Sequence, residues 1–372
     1  MKIILVCFLH LDELPPMITA LKVLSEKYNI LYIGVDDAEE VCGNIFENKV
    51  KSINVFKDSE PQESGLRGKA RRFIYWKKYW ANLLHVDKLI EKHYQPEDIV
   101  WIHHEHTLMH MGKLNVPYYL TMYELHPDLF KKECELKRRV SSAKRIVVPE
   151  YARSAIVQAC VGLKDLPVVI ENKPFDYSED EITIDNNPMQ VIAEKAHAEG
   201  KKIILYSGIF LRERKLDTLI EAASKMSNKF IVVLVGRKSA YLDELIQKYQ
   251  NVIYLGFFAP PKHLSVIKES DIGILTYVAD SGSINPVFCA PNKIWEYSRF
   301  GIPMICNDIP GLKYTVEYNK FGYCCDINSI ENISEILERI YDEYDELSSN
   351  AFKFYNTVDV KKKIMRFIES DD

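Results

Sequence analysis

The residues best suited to chemistry lie in the run from Pro291 to Pro303. The run reads Pro-Asn-Lys-Ile-Trp-Glu-Tyr and, two residues later, Phe-Gly-Ile-Pro. Pro291 suits the first turn of a helix, and Gly301 suits the left-handed residue just past a helix end. Glu296 then lies about one turn into the helix, where its carboxylate can accept hydrogen bonds from a sugar diol, while N–H groups at the helix start attract phosphate. This pattern predicts a sugar-nucleotide site; the alternative is a core helix with a solvated glutamate.

The same run resembles the nucleotide-sugar site of GT-B glycosyltransferases, closest to the retaining family-4 type. Members often read Pro-Asn-Lys, apolar, aromatic, Glu-Tyr, then Gly-x-Pro. The resemblance implies that Glu296 holds the ribose of a donor nucleotide and that Asn292 and Lys293 belong to the same site. Many members carry another Glu separated from the Glu296 position by seven residues, and this chain has Phe288 there.

A second candidate segment follows a predicted strand at residues 202–207. Gly208 lets the backbone come close to a ligand, and Arg212, Arg214 and Lys215 follow it. Because arginine suits bidentate phosphate contacts, the cluster predicts a place for a diphosphate, with Arg214 stabilising it as the leaving group. A solvated charge cluster at a helix start is the alternative.

This segment resembles the family-4 stretch in which Gly-Arg is followed by Glu-Lys-Gly, an apolar residue and Asp. Glu213-Arg214 matches the Glu-Lys pair, and Asp217 matches the Asp. Ile209 stands where the family usually has Arg, so Arg212 or Lys215 would have to supply that cation.

Other predicted donor contacts lie at strand ends and in the loop before the main motif. Gly236 and Gly256 each end a predicted strand, which suits a crevice beside a nucleotide, although a tight turn explains either equally well. Ser283 and Asn285 belong to the turn-rich residues 280–286, whose N–H groups suit an anion nest.

In the first half, a histidine-rich run follows the predicted strand at residues 99–102. It reads His-His-Glu-His from residue 103, with His110 one turn later. Metal binding is one interpretation, but the spacing is not H-E-x-x-H and no further ligand completes a set, so we predict no metal. We instead expect His104 and His106 to contact a sugar or phosphate on the acceptor side.

The next predicted strand, residues 116–121, is followed by Tyr-Glu-Leu-His. The family has a strand ending in His-Glu-Leu here, and Tyr123 replaces that histidine. The resemblance implies catalytic roles for Glu124 and His126 and an acceptor-side position for Tyr123. A capped helix start at Pro127 with a solvated Glu124 is the alternative.

These motifs require strands that alternate with helices. Short apolar runs predict strands of a first sheet at residues 3–8, 30–35, 99–102, 116–121, 145–148 and 168–170, and of a second sheet at 202–207, 230–235, 252–255, 272–275 and 304–306. Such alternation predicts an α/β fold of two Rossmann-like, doubly wound domains facing a cleft. We place the domains at residues 1–180 and 181–357, with residues 358–372 forming the helix that, in GT-B proteins, crosses back to the first domain.

Composition is consistent with this fold. With 372 residues, two domains are expected. The net charge of −5 gives no basic field for nucleic acid, and the eight cysteines contain no C-x-x-C pair, which favours a reduced, cytoplasmic chain. The apolar start of the chain resembles a first strand rather than a signal peptide.

One segment departs from the average charge. From Arg67 to Trp80, six basic residues are interleaved with five aromatic ones and no acid. This favours a helix on the inner face of a membrane, and equally an amphipathic helix packed on its own sheet.

These expectations combine into a metal-independent glycosyltransferase without a cofactor, and the resemblance to family 4 implies a retaining one. It would transfer sugar from a nucleoside diphosphate sugar to a glycan or lipid-linked glycan during surface polysaccharide or glycoconjugate assembly. Two alternatives stay open: a non-catalytic homologue that serves as a partner subunit, and a sugar-nucleotide 2-epimerase of the same fold.

Overall fold

A computed structural model describes residues 1–42, 49–55, 83, 85–278 and 283–370. The segment from Arg67 to Trp80 lies outside the described residues, so its membrane contact stays a prediction. Within the described ranges, no helix is both long enough and apolar enough to cross a membrane.

The described residues of the first domain form a parallel sheet with strand order β3-β2-β1-β4-β5-β6-β7. Its strands are β1 (Lys2–Cys7), β2 (Asn29–Gly34), β3 (Val50–Asn54), β4 (Ile99–His103), β5 (Tyr118–Thr121), β6 (Arg145–Val148) and β7 (Val168–Val169). The helices are Pro15–Ser25, Ala38–Cys42, Val86–His93, Glu105–His110, Glu135–Ser141, Tyr151–Val161 and Val360–Glu369, with 3-10 turns at Leu11–Glu13 and Pro127–Phe130.

The second domain repeats this order as β10-β9-β8-β11-β12-β13. Its strands are β8 (Lys202–Ser207), β9 (Phe230–Val235), β10 (Val252–Tyr254), β11 (Ile272–Leu275), β12 (Met304–Asn307) and β13 (Gly322–Cys325). The helices are Glu179–Ile182, Pro188–Ala198, Leu216–Lys225, Ala240–Lys248, His263–Lys268, Ile284–Val287, Asn292–Ser298, Pro310–Leu312, Ile330–Asp342 and Tyr344–Tyr355, with a 3-10 turn at Arg212–Arg214 and a π-helical turn at Lys313–Glu317.

Alternate residues of the second sheet pack into apolar clusters on opposite faces. Ile204 and Leu234 belong to one cluster, whereas Leu205 and Val233 belong to the other. A sheet covered on both faces needs apolar residues at every position, which explains the near-continuous apolar runs in the sequence.

The strand order places a topological switch point in each sheet. In the second sheet, β8 lies between β9 and β11, so the connections leave β8 in opposite directions. Ligands of doubly wound sheets bind outside the carboxyl ends of the strands at such a point. The residues that follow β8 and β11 are therefore the first place to look for a site.

The two-domain α/β fold is confirmed, and the last helix, Val360–Glu369, belongs to the first domain. Its buried Phe367 packs against Trp101, with ring centroids 5.0 Å apart. The exposed Lys27 and Glu369 pair at 2.5 Å, a contact worth little in water compared with the buried aromatic packing.

The chain divides into residues 1–171 with 360–372, and residues 172–359. The first boundary falls earlier than residue 180 because the intervening residues bond to the second domain. Asn172 Nδ2 donates to Ala290 O at 2.9 Å, and Lys173 Nζ donates to Val358 O at 2.8 Å.

Candidate functional site

The turn after β8 brings the backbone and a lysine together. Gly208 has φ 147°, and a Cβ placed on it would lie 2.7 Å from Lys293 Nζ. At Gly236, which follows β9, a Cβ would lie 2.0 Å from Gly208 O. Both positions therefore need glycine, and the two strand ends and the lysine meet in one place.

The helix Asn292–Ser298 carries the predicted donor motif. Pro291 is the N-cap residue rather than a residue of the first turn, and Gly301 has φ 67°, which confirms the predicted left-handed helix stop. Asn292 opens the helix and is half-buried, Lys293 follows it, and Glu296 lies one turn later.

Glu296 is buried, with 7% of its surface exposed. Burial alone would raise the pKa of its carboxyl, but His263, with Nε2 3.4 Å from Oε1, and Lys293 outweigh that effect, so the pKa lies below its ordinary value. A buried carboxylate is thus held ionised, and in that state it only accepts hydrogen bonds.

Lys293 has cationic and anionic neighbours. Burial lowers the pKa of its ammonium, Glu296 counteracts this, and Arg214 adds to the lowering. Two cations that share a confined space repel each other, so an anion between them would relieve that repulsion.

Arg214 is held by groups at the end of β11. Its guanidinium donates to Thr276 O at 3.0 Å and lies 4.0 Å from the ring centre of Tyr277. Asn307 in turn holds Tyr277 through both backbone groups, accepting from its N–H at 2.8 Å and donating to its carbonyl at 3.0 Å. The cation is therefore positioned by two neighbouring strand ends.

Arg212 and Lys215 have other partners. The Arg212 guanidinium bonds to the carboxylate of Glu244 and is largely exposed. Lys215 adopts a left-handed backbone, φ 45°, and its Nζ lies 3.5 Å from Asn328 Oδ1. The structure thus groups Gly208, Arg214, Lys293 and Glu296, while Arg212 and Lys215 engage residues of other elements.

The remaining predicted donor residues flank this group. Gly256 follows β10 and accepts the N–H of Gly236 at 2.8 Å, which joins these strand ends. Ser283 caps the short helix Ile284–Val287 by accepting the N–H of Asn285 at 3.4 Å. Ser283 and Asn285 therefore shape the chain before the donor helix; their contact with a ligand stays a prediction.

The first domain carries a histidine cluster at the ends of β4 and β5. His104 has a left-handed backbone, φ 79°, and its Nδ1 accepts the N–H of His106 at 3.1 Å. Burial lowers the pKa of both imidazoles to about 4. A non-glycine residue in this conformation stores strain, which is commonest at functional sites.

Glu105 is buried beside these imidazoles. Its Oε2 accepts the N–H groups of Tyr123 at 3.1 Å and Glu124 at 3.4 Å, which ties the end of β5 to the helix Glu105–His110. Burial, together with the charge of Glu124, raises the pKa of Glu105 to about 8. At neutral pH this carboxyl is mostly protonated.

Tyr123 does not have the accessible position that its predicted acceptor-side role requires. It is buried, and its hydroxyl lies 2.9 Å from His103 Nδ1. Glu124 is exposed, 3.4 Å from an Arg153 nitrogen, and His126 Nδ1 accepts the N–H of Asp128 at 3.2 Å at the start of the turn Pro127–Phe130. The capped start is present, and Glu124 and His126 remain the accessible polar groups here.

Sequence reasoning missed several residues of these sites. Thr276, Tyr277 and Asn307 stand at or just after strand ends, the same signal that found Gly208 and Gly236. His263 begins a helix of its own and carried no such signal, and the burial of Glu105 cannot be read from its neighbours in the chain. No group of three or more His, Cys, Asp or Glu side chains in the described part of the chain has the arrangement of a metal site.

One family model matches part of the chain in sequence. Residues 190–354 match the family model described as glycosyl transferases group 1, which covers most of the second domain. No curated protein matches the chain in sequence.

Solved structures match nearly the whole length of the chain. Anabaena HepE, solved with UDP and glucose, aligns with TM-score 0.68 and 15% identity over 99% of this chain and 98% of that one. Trehalose-6-phosphate synthase OtsA aligns with TM-score 0.67 and 13% identity over 99% and 98%, and sucrose-phosphate synthase from Thermosynechococcus elongatus with 0.66 and 14% over 99% and 97%. The fold is therefore the GT-B fold, and the family match supports a glycosyltransferase.

Proposed function

We propose that this protein transfers a sugar from a nucleoside diphosphate sugar to an acceptor hydroxyl. The observation that carries the proposal is the group at the switch point of the second sheet: a buried, ionised Glu296 one helical turn from Lys293, with Arg214 beside that lysine. A carboxylate suits the ribose hydroxyls, and the two cations suit the diphosphate.

The chemical step is governed by the leaving group. The bond between the anomeric carbon and the diphosphate oxygen breaks, and a bond from the anomeric carbon to the acceptor oxygen forms. The electron pair stays on the diphosphate, where Arg214 and Lys293 stabilise the added charge. The acceptor proton is released to the diphosphate or to solvent. Retention of configuration rests on the resemblance to family 4.

The acceptor side is proposed in the first domain. His104 and His126 each use Nδ1 to accept a backbone N–H, so each neutral ring carries its proton on Nε2 and can donate from there. Glu124 supplies a half-exposed carboxylate nearby. We propose that these groups, with His106, orient the acceptor hydroxyl.

Two further parts of the proposal concern the donor nucleotide and the cellular role. The donor is proposed to be a UDP-sugar first, because the GT-B structures of HepE were solved with UDP and UDP-glucose. A role in surface polysaccharide or glycoconjugate assembly, on the cytoplasmic side of the membrane, rests on the basic, aromatic sequence from Arg67 to Trp80.

The proposal is tested by incubating purified protein with radiolabelled UDP-glucose, UDP-galactose, UDP-N-acetylglucosamine and GDP-mannose and separating the products. Slow release of free sugar and nucleoside diphosphate is expected with one donor. Glu296→Ala should abolish it, and Glu335→Ala, which removes an exposed carboxylate of the same domain, should not.

Other products would decide between the alternatives. A donor whose sugar is inverted at C2 with the nucleotide still attached would establish an epimerase. No turnover and no nucleotide binding by the wild type would favour the non-catalytic partner subunit.

A further inference from the structure

His263 lies beside the carboxylate that the proposed function assigns to the ribose. It begins the helix His263–Lys268, which packs against the helix Asn292–Ser298. Its Nε2 is 3.4 Å from Glu296 Oε1, with 15% and 9% of the two side chains exposed. The contact is therefore shielded from water, where an ion pair or hydrogen bond has its greatest effect.

The geometry gives this imidazole one polar partner. A carboxylate only accepts hydrogen bonds, so the nitrogen that faces Glu296 must carry the proton. The other ring nitrogen, Nδ1, is buried and has no hydrogen-bond partner among the described residues. Next to His263 on the same helix, Leu264 is buried in the apolar core, which anchors the start of that helix in the second domain.

Glu296 uses its two oxygens differently. Oε1 faces His263, whereas no described residue donates a hydrogen bond to Oε2. A carboxylate fixed at one oxygen presents the other in a defined direction. A vicinal pair of hydroxyls, as in ribose, is the ligand chemistry that such an oxygen selects.

We propose that His263 is a positioning residue that orients Glu296 toward the ribose hydroxyls of the donor and so gives the site its preference for ribose over deoxyribose. This inference rests on the proposed function. It adds a residue outside the donor helix, and it separates ribose selection from the diphosphate contacts of Arg214 and Lys293.

Two neutral variants at the same position test the inference. In His263→Gln the amide nitrogen can occupy nearly the same place as Nε2, whereas in His263→Asn it reaches only to the place of Nδ1. Each protein is titrated calorimetrically with UDP, 2′-deoxy-UDP and inorganic pyrophosphate, or with the guanosine or adenosine pair if the wild type prefers that base.

The wild type should prefer UDP over 2′-deoxy-UDP about 10-fold, the usual effect of one hydrogen bond to a charged group. His263→Asn should reduce that preference to about 2-fold or less while pyrophosphate binding stays unchanged, and His263→Gln should restore most of it. His197→Asn, which removes a second histidine–carboxylate contact of this domain, at 3.0 Å from Asp271, is the matched control and should keep the wild-type preference.

Several results would overturn the inference. One is that His263→Asn keeps the full preference for ribose. Another is that it weakens UDP, 2′-deoxy-UDP and pyrophosphate equally, which is the result of a merely structural role. Preference of the wild type for TDP, which lacks the 2′-hydroxyl, would also contradict it. A wild type that binds no nucleotide would contradict the proposed function itself.

Discussion

Among the described residues each domain buries one glutamate, Glu105 at the start of the helix after β4 and Glu296 in the helix Asn292–Ser298, and the two carboxyls have pKa values shifted in opposite directions. Glu105 has a pKa raised to about 8, whereas that of Glu296 lies below its ordinary value. Burial raises the pKa of both. The difference comes from their neighbours: Glu105 lies near the carboxylate of Glu124 and imidazoles that resist protonation, whereas Glu296 lies near His263 and Lys293.

The comparison shows that burial raises the pKa of both carboxyls, and that the neighbouring groups decide whether each is protonated or ionised at neutral pH. The protonated Glu105 accepts two backbone N–H groups and organises the end of β5. The ionised Glu296 has no backbone partner among the described residues, so its charge remains for a ligand. We therefore assign Glu105 to structure and Glu296 to binding.

Replacing each glutamate by glutamine should give the largest difference in UDP affinity between the two sites. Glu296→Gln removes the charge that the ribose contact uses, and UDP affinity should fall about 30-fold or more. Glu105→Gln keeps a neutral group where the wild type already has one, and affinity should stay within about 2-fold. Calorimetric titration of both variants measures this; equal losses would remove the distinction between the two sites.

Lys293→Met should have the next largest effect. It removes a cation from the diphosphate and also a positive charge that helps to keep Glu296 ionised, so UDP binding should weaken about 10-fold and pyrophosphate binding should weaken with it. Lys248→Met, which removes an exposed lysine at the end of the helix Ala240–Lys248 in the same domain, is the control. Loss of UDP binding with pyrophosphate binding intact would show that the lysine acts on the ribose side alone.

The pH dependence of stability sharpens the same comparison. Because the pKa of Glu105 rises from about 4.5 in the unfolded chain to about 8 in the fold, its contribution is favourable below pH 4.5 and is lost as pH rises toward 8. The loss is at most about 1.4 kcal/mol per pH unit. Glu105→Gln should therefore gain stability relative to the wild type between pH 5 and 8.

Denaturant unfolding at several pH values checks this prediction. The relative stability of Glu296→Gln should change in the opposite sense. The contribution of Glu296 is present above its unfolded pKa and is lost as pH falls through its lowered folded value. Parallel profiles for the two variants would contradict the opposite shifts.

The smallest expected effect concerns Arg212, one of the cations that the sequence analysis placed at the diphosphate. Glu244→Ala frees Arg212 from its carboxylate partner. If Arg214 and Lys293 hold the diphosphate, UDP affinity should change less than about 2-fold, because a surface ion pair contributes little. UDP binding that is several-fold tighter in Glu244→Ala would instead show that Arg212 contributes to the donor site.

Much of the fold follows from the sequence because both sheets are buried on two faces. The apolar runs predicted all the interior strands, and the missed strands, β3 and β13, lie at sheet edges. β3 reads Val-Lys-Ser-Ile-Asn, which alternates and carries polar residues, as an exposed edge allows.

The site was less predictable because it depends on contacts between distant segments. Glu296, Lys293 and Gly208 were found from local motifs that end strands or open helices. Arg212 and Arg214 are the same residue type two positions apart, so the sequence does not distinguish them. Their different partners, Glu244 for Arg212 and the Thr276 carbonyl for Arg214, are visible only in the fold. His263 and Glu105 matter through burial and neighbours that local spacing does not encode.

Calorimetric titration of the wild-type protein with UDP, GDP, ADP and TDP tests the central claim most directly. Our account predicts that one ribonucleoside diphosphate binds selectively, and that its binding weakens as pH falls through the pKa of Glu296. Failure of all four to bind, at concentrations up to the millimolar range, would contradict a nucleotide-sugar site at Glu296, Lys293 and Arg214.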